Sequence, residues 1–163
     1  MTSAEAMKQL KELEIKRRQI LQEEQDTSVF TVATSEIVEN VRPEYDFKST
    51  LISLEACENN IRELKHRLNV FNTTYMVPEL GMTIDQVLVS MPMLSGEVNK
   101  LRNMAARLEK KRCSSYSARV GLIEYEYINY DRDQVKQEYD KKSKRLAEMQ
   151  IALDKANTTV DIL

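Results

Sequence analysis

Residues 47–71 read FKSTLISLEACENNIRELKHRLNVF, and this stretch decides the architecture that the sequence predicts. Its apolar residues recur at steps of three and four, as the buried positions of an amphipathic helix do. They form two adjoining stripes, one with Phe47, Leu51, Leu54, Ile61 and Leu68, the other with Cys57, Ile61, Leu64, Leu68 and Phe71. Together the stripes are wider than the seam of a two-stranded coil. We therefore expect this helix to pack against two neighbours, in a bundle or an oligomer.

The composition favours one mainly α domain over residues 1–163. The chain has only three Gly, three Pro and no Trp, and 31% of its residues are charged. This composition is typical of long helices rather than of a β-sandwich or barrel. A chain of this length can bury about 70% of the surface that its unfolded form exposes, so one core suffices.

Helical periodicity continues on both sides of the opening stretch. The predicted helices span residues of about 3–25, 44–73, 83–112 and 131–157, as a four-helix bundle or coiled-coil hairpins of long antiparallel helices. Pro43 is expected near the start of the second helix, and Thr83 with Gln86 forms a capping box for the third. Pro92 removes a hydrogen bond inside the third helix. We expect either a kink near Leu88 or a start at Ser90.

Two segments interrupt the helical pattern. Residues 28–34 are rich in β-branched side chains, and residues 121–128 alternate polar with aromatic side chains after a Gly. Both are predicted to be strands, paired as a minor two-stranded element at one end of the bundle. The alternative for the first segment is a bare connection of about 17 residues, which is uncommon inside a compact domain.

Charge and hydropathy exclude several classes of partner. The 24 basic and 26 acidic residues give a net charge of −2, so no overall field attracts extended nucleic acid or an anionic membrane. The apolar runs are too short to span a bilayer. The first residues mix Glu with Lys where a secretion signal would be apolar. We expect a cytoplasmic protein without a membrane partner.

Metal and catalytic signatures are weak. Glu63 and His66 have the Glu-x-x-His spacing of di-iron bundles, but such a site needs two of these motifs and two further Glu residues. The single His also makes a nucleophilic triad improbable. Cys57 and Cys113 are most simply reduced core residues, the alternative being a disulfide. The sequence predicts no metal, no cofactor and no enzyme.

Tyrosines and basic residues late in the chain form the candidate ligand-binding cluster. Its members are Arg112, Tyr116, Arg119, Tyr125, Tyr127, Tyr130 and Arg132. Tyrosine rings can stack on bases while Arg side chains hold phosphates. The other interpretation is that the rings pack on the bundle end or at a subunit contact, where the apolar body and polar tip of Tyr are favoured.

Short motifs follow each other along the chain: Asn69 and Asn72, then Gly81, Thr83 and Ile84, then Tyr116 and Ser117, then Asp131, and finally Asn157, Thr159 and Asp161. In this order they resemble the motifs of a small uncharacterised bacterial family often labelled septicolysin-like. Thr158 replaces the Trp of that family, and Pro92 replaces a residue that is usually charged. The resemblance implies an all-α bundle with a small β element and no assigned activity. The sequence has no long amphipathic hairpin or Trp-rich loop to support the pore formation that the label suggests.

These patterns favour a non-enzymatic helical homo-oligomer, a dimer or larger, that acts as a structural or interaction module. The wide stripes and eight Met residues offer more apolar helix surface than a slender monomer can cover. The alternative is an oligomer that captures a small anionic ligand, such as a nucleotide, at the tyrosine and arginine cluster between subunits.

Overall fold

The structure is a computed structural model that describes residues 1–113 and 123–162, and it is mainly helical. Within these ranges the helices are α1 (Ser3–Thr27), α2 (Val38–Val41), α3 (Phe47–Thr74), α4 (Ile84–Ala105) and α5 (Arg132–Thr159). The strands are β1 (Met76–Val77), β2 (Met82–Thr83), β3 (Lys110–Arg112) and β4 (Tyr125–Tyr127). Strand β1 pairs antiparallel with β2, and β3 with β4. The predicted mainly α class with a minor antiparallel β element is confirmed.

Internal contacts divide the chain into two compact units. The first comprises Met1–Tyr75 together with the C-terminal residues from Lys155, and the second comprises Met76–Asp154. Each unit has buried apolar side chains of its own.

In the first unit, α1 packs along α3. Thr2 and Glu5 form the capping box that begins α1, and the Asp46 carboxylate accepts hydrogen bonds from backbone amides that begin α3. Residues near the two chain ends are in contact, since the backbone amide of Ile162 donates to the carbonyl of Met1 at 2.8 Å. The buried apolar residues of this unit are Ala6, Leu10, Cys57, Leu64, Leu68, Phe71, Ala156 and Ile162.

In the second unit, the β1–β2 hairpin leads directly into α4. Gly81 has φ of 63°, a left-handed conformation that Gly adopts without steric cost. The predicted capping box of Thr83 and Gln86 is present and begins α4. The buried apolar residues of this unit are Val77, Ile84, Val87, Val98, Val135, Met149, Ala152 and Leu153.

The strand predicted at residues 28–34 is wrong. These residues form bends and irregular backbone, and the connection holds only the single turn of α2. β-Branched side chains favour extended backbone, but a strand also needs a partner to receive its hydrogen bonds. Local contacts order this connection instead, with the Arg42 guanidinium 5.6 Å from the centre of the Phe30 ring.

The predicted end of the third helix is also wrong. Helix α4 ends at Ala105, and residues that were assigned to its last turns form β3, which is paired with β4. The partner of the second predicted strand is therefore β3 rather than residues 28–34. Residues 121 and 122 of that strand lie outside the described ranges.

The remaining differences concern helix starts. Helix α3 begins at Phe47 rather than at 44, because Asp46 provides the cap and Pro43 precedes it in irregular backbone. Helix α4 begins at Ile84 and continues through Pro92, so a start at Ser90 is wrong. Helices α1 and α5 agree with their predicted limits to within two residues. Both cysteines are free.

Candidate functional site

The β3–β4 pair gathers basic and aromatic side chains on one face. Lys110 lies opposite Tyr127, and Arg112 lies opposite Tyr125. Because alternate residues of a strand point to the same side, these four side chains share one face, which we call the ribbon face. The Lys110 ammonium lies 4.1 Å from the centre of the Tyr125 ring and 5.5 Å from that of Tyr127. Both distances are within the range of cation–π attraction.

The rings of the ribbon face are not packed into the core of the protomer. Tyr125 is 46% exposed and Tyr127 is 63% exposed, so neither is a core residue. No described residue forms a hydrogen bond or ion pair with the Arg112 guanidinium, which leaves its planar donors available to a carboxylate or phosphate. The ribbon face can therefore present two cations beside two rings.

Two other members of the predicted cluster serve the end of α4. The Tyr130 hydroxyl donates to the carbonyl of Met104 at 2.8 Å, and Arg132 Nε donates to the carbonyl of Ala105 at 3.0 Å. The last carbonyls of a helix have no partner within the helix, and these side chains bind two of them. The backbone amide of Arg107 also donates to the carbonyl of Met104, at 3.2 Å. Tyr130 and Arg132 are helix-capping residues here. They are not part of the ribbon face.

The structure thus groups three of the seven predicted site residues: Arg112, Tyr125 and Tyr127. Tyr116 and Arg119 lie outside the described residues. Lys110, whose ammonium lies over the Tyr125 ring, is not among the residues predicted from the sequence. The alternation that predicted β4 would have identified Lys110 if residues 110–112 had been recognised as the strand opposite it.

The neighbourhood of His66 is a shallow polar cleft on α1 and α3. His66 is exposed and lines a cavity of about 430 Å³ with Arg17 and Lys65. Arg17 pairs with Glu58 at 2.7 Å and Lys65 with Glu14 at 2.8 Å, and the hydrogen bond from Lys65 lowers the pKa of Glu14. Over the described ranges, no three His, Cys, Asp or Glu side chains are grouped so that they could hold a metal ion.

Apolar side chains are uncovered where α3 begins and in the connection before it. Phe47 is 59% exposed, Leu51 40% and Ile52 66%, although the first two belong to the stripe that the sequence predicts to be buried. We call this surface, together with the exposed residues of the connection, the apolar end; its members are Val29, Ile37, Val38, Val41, Phe47, Leu51 and Ile52. Leu68 of the same stripe is buried, as are Leu64 and Phe71 of the adjoining stripe. The apolar face of α3 is therefore buried near the end of the helix and exposed at its start.

Taking residues 1–113 and 123–162 together, no helix is both long enough and apolar enough to cross a bilayer.

Comparison with known proteins finds a solved structure that has a similar fold. No protein family model matches the chain, and no curated protein does. The chain is similar to the crystal structure of a functionally unknown conserved protein from Corynebacterium diphtheriae, with 21% sequence identity and a TM-score of 0.58. The match covers 100% of this chain and 99% of that one. At this identity the likeness shows the fold alone, and the septicolysin-like resemblance stays a prediction.

Proposed function

We propose that the protein is a non-catalytic helical module that functions by self-association through the apolar end. The observation that carries this proposal is the exposure of Phe47, Leu51 and Ile52 at the start of α3. Uncovered apolar surface of this kind is a mark of protein contacts. Its removal from water contributes about 25 cal/mol for each Å² that a partner covers.

A second copy of the chain is the partner that we propose. The apolar face of α3 is already suited to packing against a helix, since α1 packs along α3. In a two-fold dimer the same patch on both subunits meets itself. An apolar patch is complementary to its own copy, whereas a charged patch would repel it.

The test measures mass in solution by light scattering at micromolar concentration. We expect the wild type to be a dimer or larger. Leu51→Glu should be a monomer with an unchanged circular dichroism spectrum, because a charge at the contact must lose its hydration on association. Asn59→Glu adds the same charge at an exposed polar position of α3 and should keep the wild-type mass. A monomeric wild type would refute the proposal.

A second candidate function is the capture of a small anionic ligand on the ribbon face. The free guanidinium of Arg112 beside exposed Tyr125 favours it. A nucleotide present at a free concentration of 100 times its Kd would raise the free energy of unfolding by about 2.7 kcal/mol. Its thermal shift should vanish in Arg112→Gln and persist in Lys111→Gln, since Lys111 lies on the opposite side of the β3–β4 pair. If no nucleotide or inorganic anion shifts the wild type, this alternative is excluded.

A further inference from the structure

Helices α4 and α5 are separated by an apolar groove within the unit Met76–Asp154. The groove has a volume of about 700 Å³, inside the range of small-molecule sites. Most of its lining is aliphatic, with Leu88, Met91, Val98, Leu146, Ala147 and Leu153 among its residues. An exposed apolar surface between two helices of one unit is typical of a groove that binds a ligand.

The charged residue of the groove lining, Arg102, lies at one end of the groove. Arg132 bonds to the carboxyl end of α4, and Lys142 pairs with Glu97 further back, so α4 and α5 run antiparallel. Arg102 on α4 therefore lies near the amino-terminal half of α5, which contributes Tyr139 and Ser143 to the lining. Leu88 and Leu153 belong to the other end. The separation of Arg102 and Leu88 along α4 corresponds to about 21 Å of helix.

Arg102 is the charged residue of the described lining, and it is exposed. Its guanidinium forms no ion pair or hydrogen bond with another described residue, so it can donate hydrogen bonds to an anionic oxygen in the groove. The Ser143 oxygen also makes no hydrogen bond, an arrangement that costs free energy. That oxygen is fully buried, so a ligand in the groove does not reach it.

We infer that this groove binds an amphiphile of the fatty-acid type, with a carboxylate head and a long aliphatic chain. The carboxylate accepts hydrogen bonds from the Arg102 guanidinium. The chain lies along Val98 and Leu146 towards Leu88 and Leu153, where it loses contact with water. One cation at one end of an apolar groove matches one anionic head, which is the charge complementarity that selects this class over a neutral apolar molecule.

The experiment titrates the full-length protein with dodecanoate, below its micellar concentration, by isothermal calorimetry, and compares dodecanol. We expect Arg102→Gln to weaken dodecanoate binding by about tenfold or more and to change dodecanol binding little. Arg107→Gln removes an equal charge at an exposed position of the chain just beyond α4, and we expect it to bind like the wild type. Ser143→Ala should bind dodecanoate like the wild type and raise the Tm of the free protein, because it removes a buried, unpaired hydroxyl that does not contact the ligand.

Two further variants separate this site from self-association. Leu146→Trp fills the groove and should abolish binding of both probes while leaving helicity and solution mass unchanged. Leu51→Glu should bind dodecanoate as the wild type does, whatever its mass. The inference is overturned if dodecanoate gives no heat of binding, or if Arg102→Gln and Arg107→Gln bind it equally. It is also overturned if Leu146→Trp lowers the solution mass, since the occupant would then be a second copy of the chain.

Discussion

Leu64 shows what the buried part of the α3 stripe contributes to stability. Its side chain is 6% exposed, so truncation leaves a cavity in addition to the lost transfer free energy. We expect Leu64→Ala to lower the free energy of unfolding by about 2–5 kcal/mol, measured by urea denaturation at one protein concentration. Ile151→Ala is the control, because Ile151 is 69% exposed. A substitution on the surface usually changes stability by about 0.5 kcal/mol or less.

If Leu64→Ala and Ile151→Ala lowered the free energy of unfolding equally, the assignment of Leu64 to the core would be contradicted. The sequence predicts this residue correctly, because Cys57, Leu64, Leu68 and Phe71 repeat at helical spacing and all are buried. The same reasoning fails for Phe47, which has the right spacing but is 59% exposed. Periodicity identifies the face of a helix that avoids water. It does not identify how far along the helix a covering surface extends.

At the scale of the elements, the end of α4 depends on residues that are distant in sequence. The hydrogen bond from the Tyr130 hydroxyl to the carbonyl of Met104 is partly buried. Tyr130→Phe removes only the hydroxyl, and we expect a loss of about 1 kcal/mol in the free energy of unfolding. Tyr127→Phe makes the same change at an exposed ring and should cost about 0.5 kcal/mol or less. If the two variants unfold at the same urea concentration, the capping role of Tyr130 is refuted.

Elements could be predicted where their signals are local. The capping box of Thr83 and Gln86 lies within four consecutive residues and marked the start of α4 correctly. The end of α4 could not be found in this way, because the groups that satisfy its last carbonyls come from Tyr130 and Arg132. The strand predicted at residues 28–34 failed for a related reason. β-Propensity describes a preference, whereas a strand requires a partner whose position the local sequence does not contain.

The candidate site shows the same division between local and distant information. The alternation of Tyr125 and Tyr127 placed both rings on one side of a strand correctly. Their neighbours Lys110 and Arg112 depend on the register of β3 against β4, which the sequence did not reveal. The groove between α4 and α5 was not predicted at all. Val98 and Leu146 have the helical spacing of core residues, and a periodic pattern does not distinguish a filled core from an open groove.

For the protein as a whole, the sequence does not identify which surface covers the apolar stripes of α3. The hydrophobic effect has no direction, so a pattern of apolar residues favours burial equally within one chain or between two chains. The structure of one protomer covers the later part of the stripe and leaves Phe47 and Leu51 exposed. A homo-oligomer therefore stays a proposal, and its thermodynamic consequence can be tested independently of molecular mass.

Thermal unfolding should depend on protein concentration if folding and association are coupled. Mass action stabilises a dimer by about 1.4 kcal/mol for each tenfold rise in concentration, or about 0.7 kcal/mol per chain. For a chain of this size that corresponds to an increase in Tm of about 2 °C per tenfold step. We expect the wild type and Asn59→Glu to show this slope in calorimetric scans over two decades of concentration. Leu51→Glu should show none, because a monomer unfolds at a Tm that is independent of its concentration. A flat wild-type profile would mean that the exposed side chains at the start of α3 do not hold two copies together, and that the apolar end has another role.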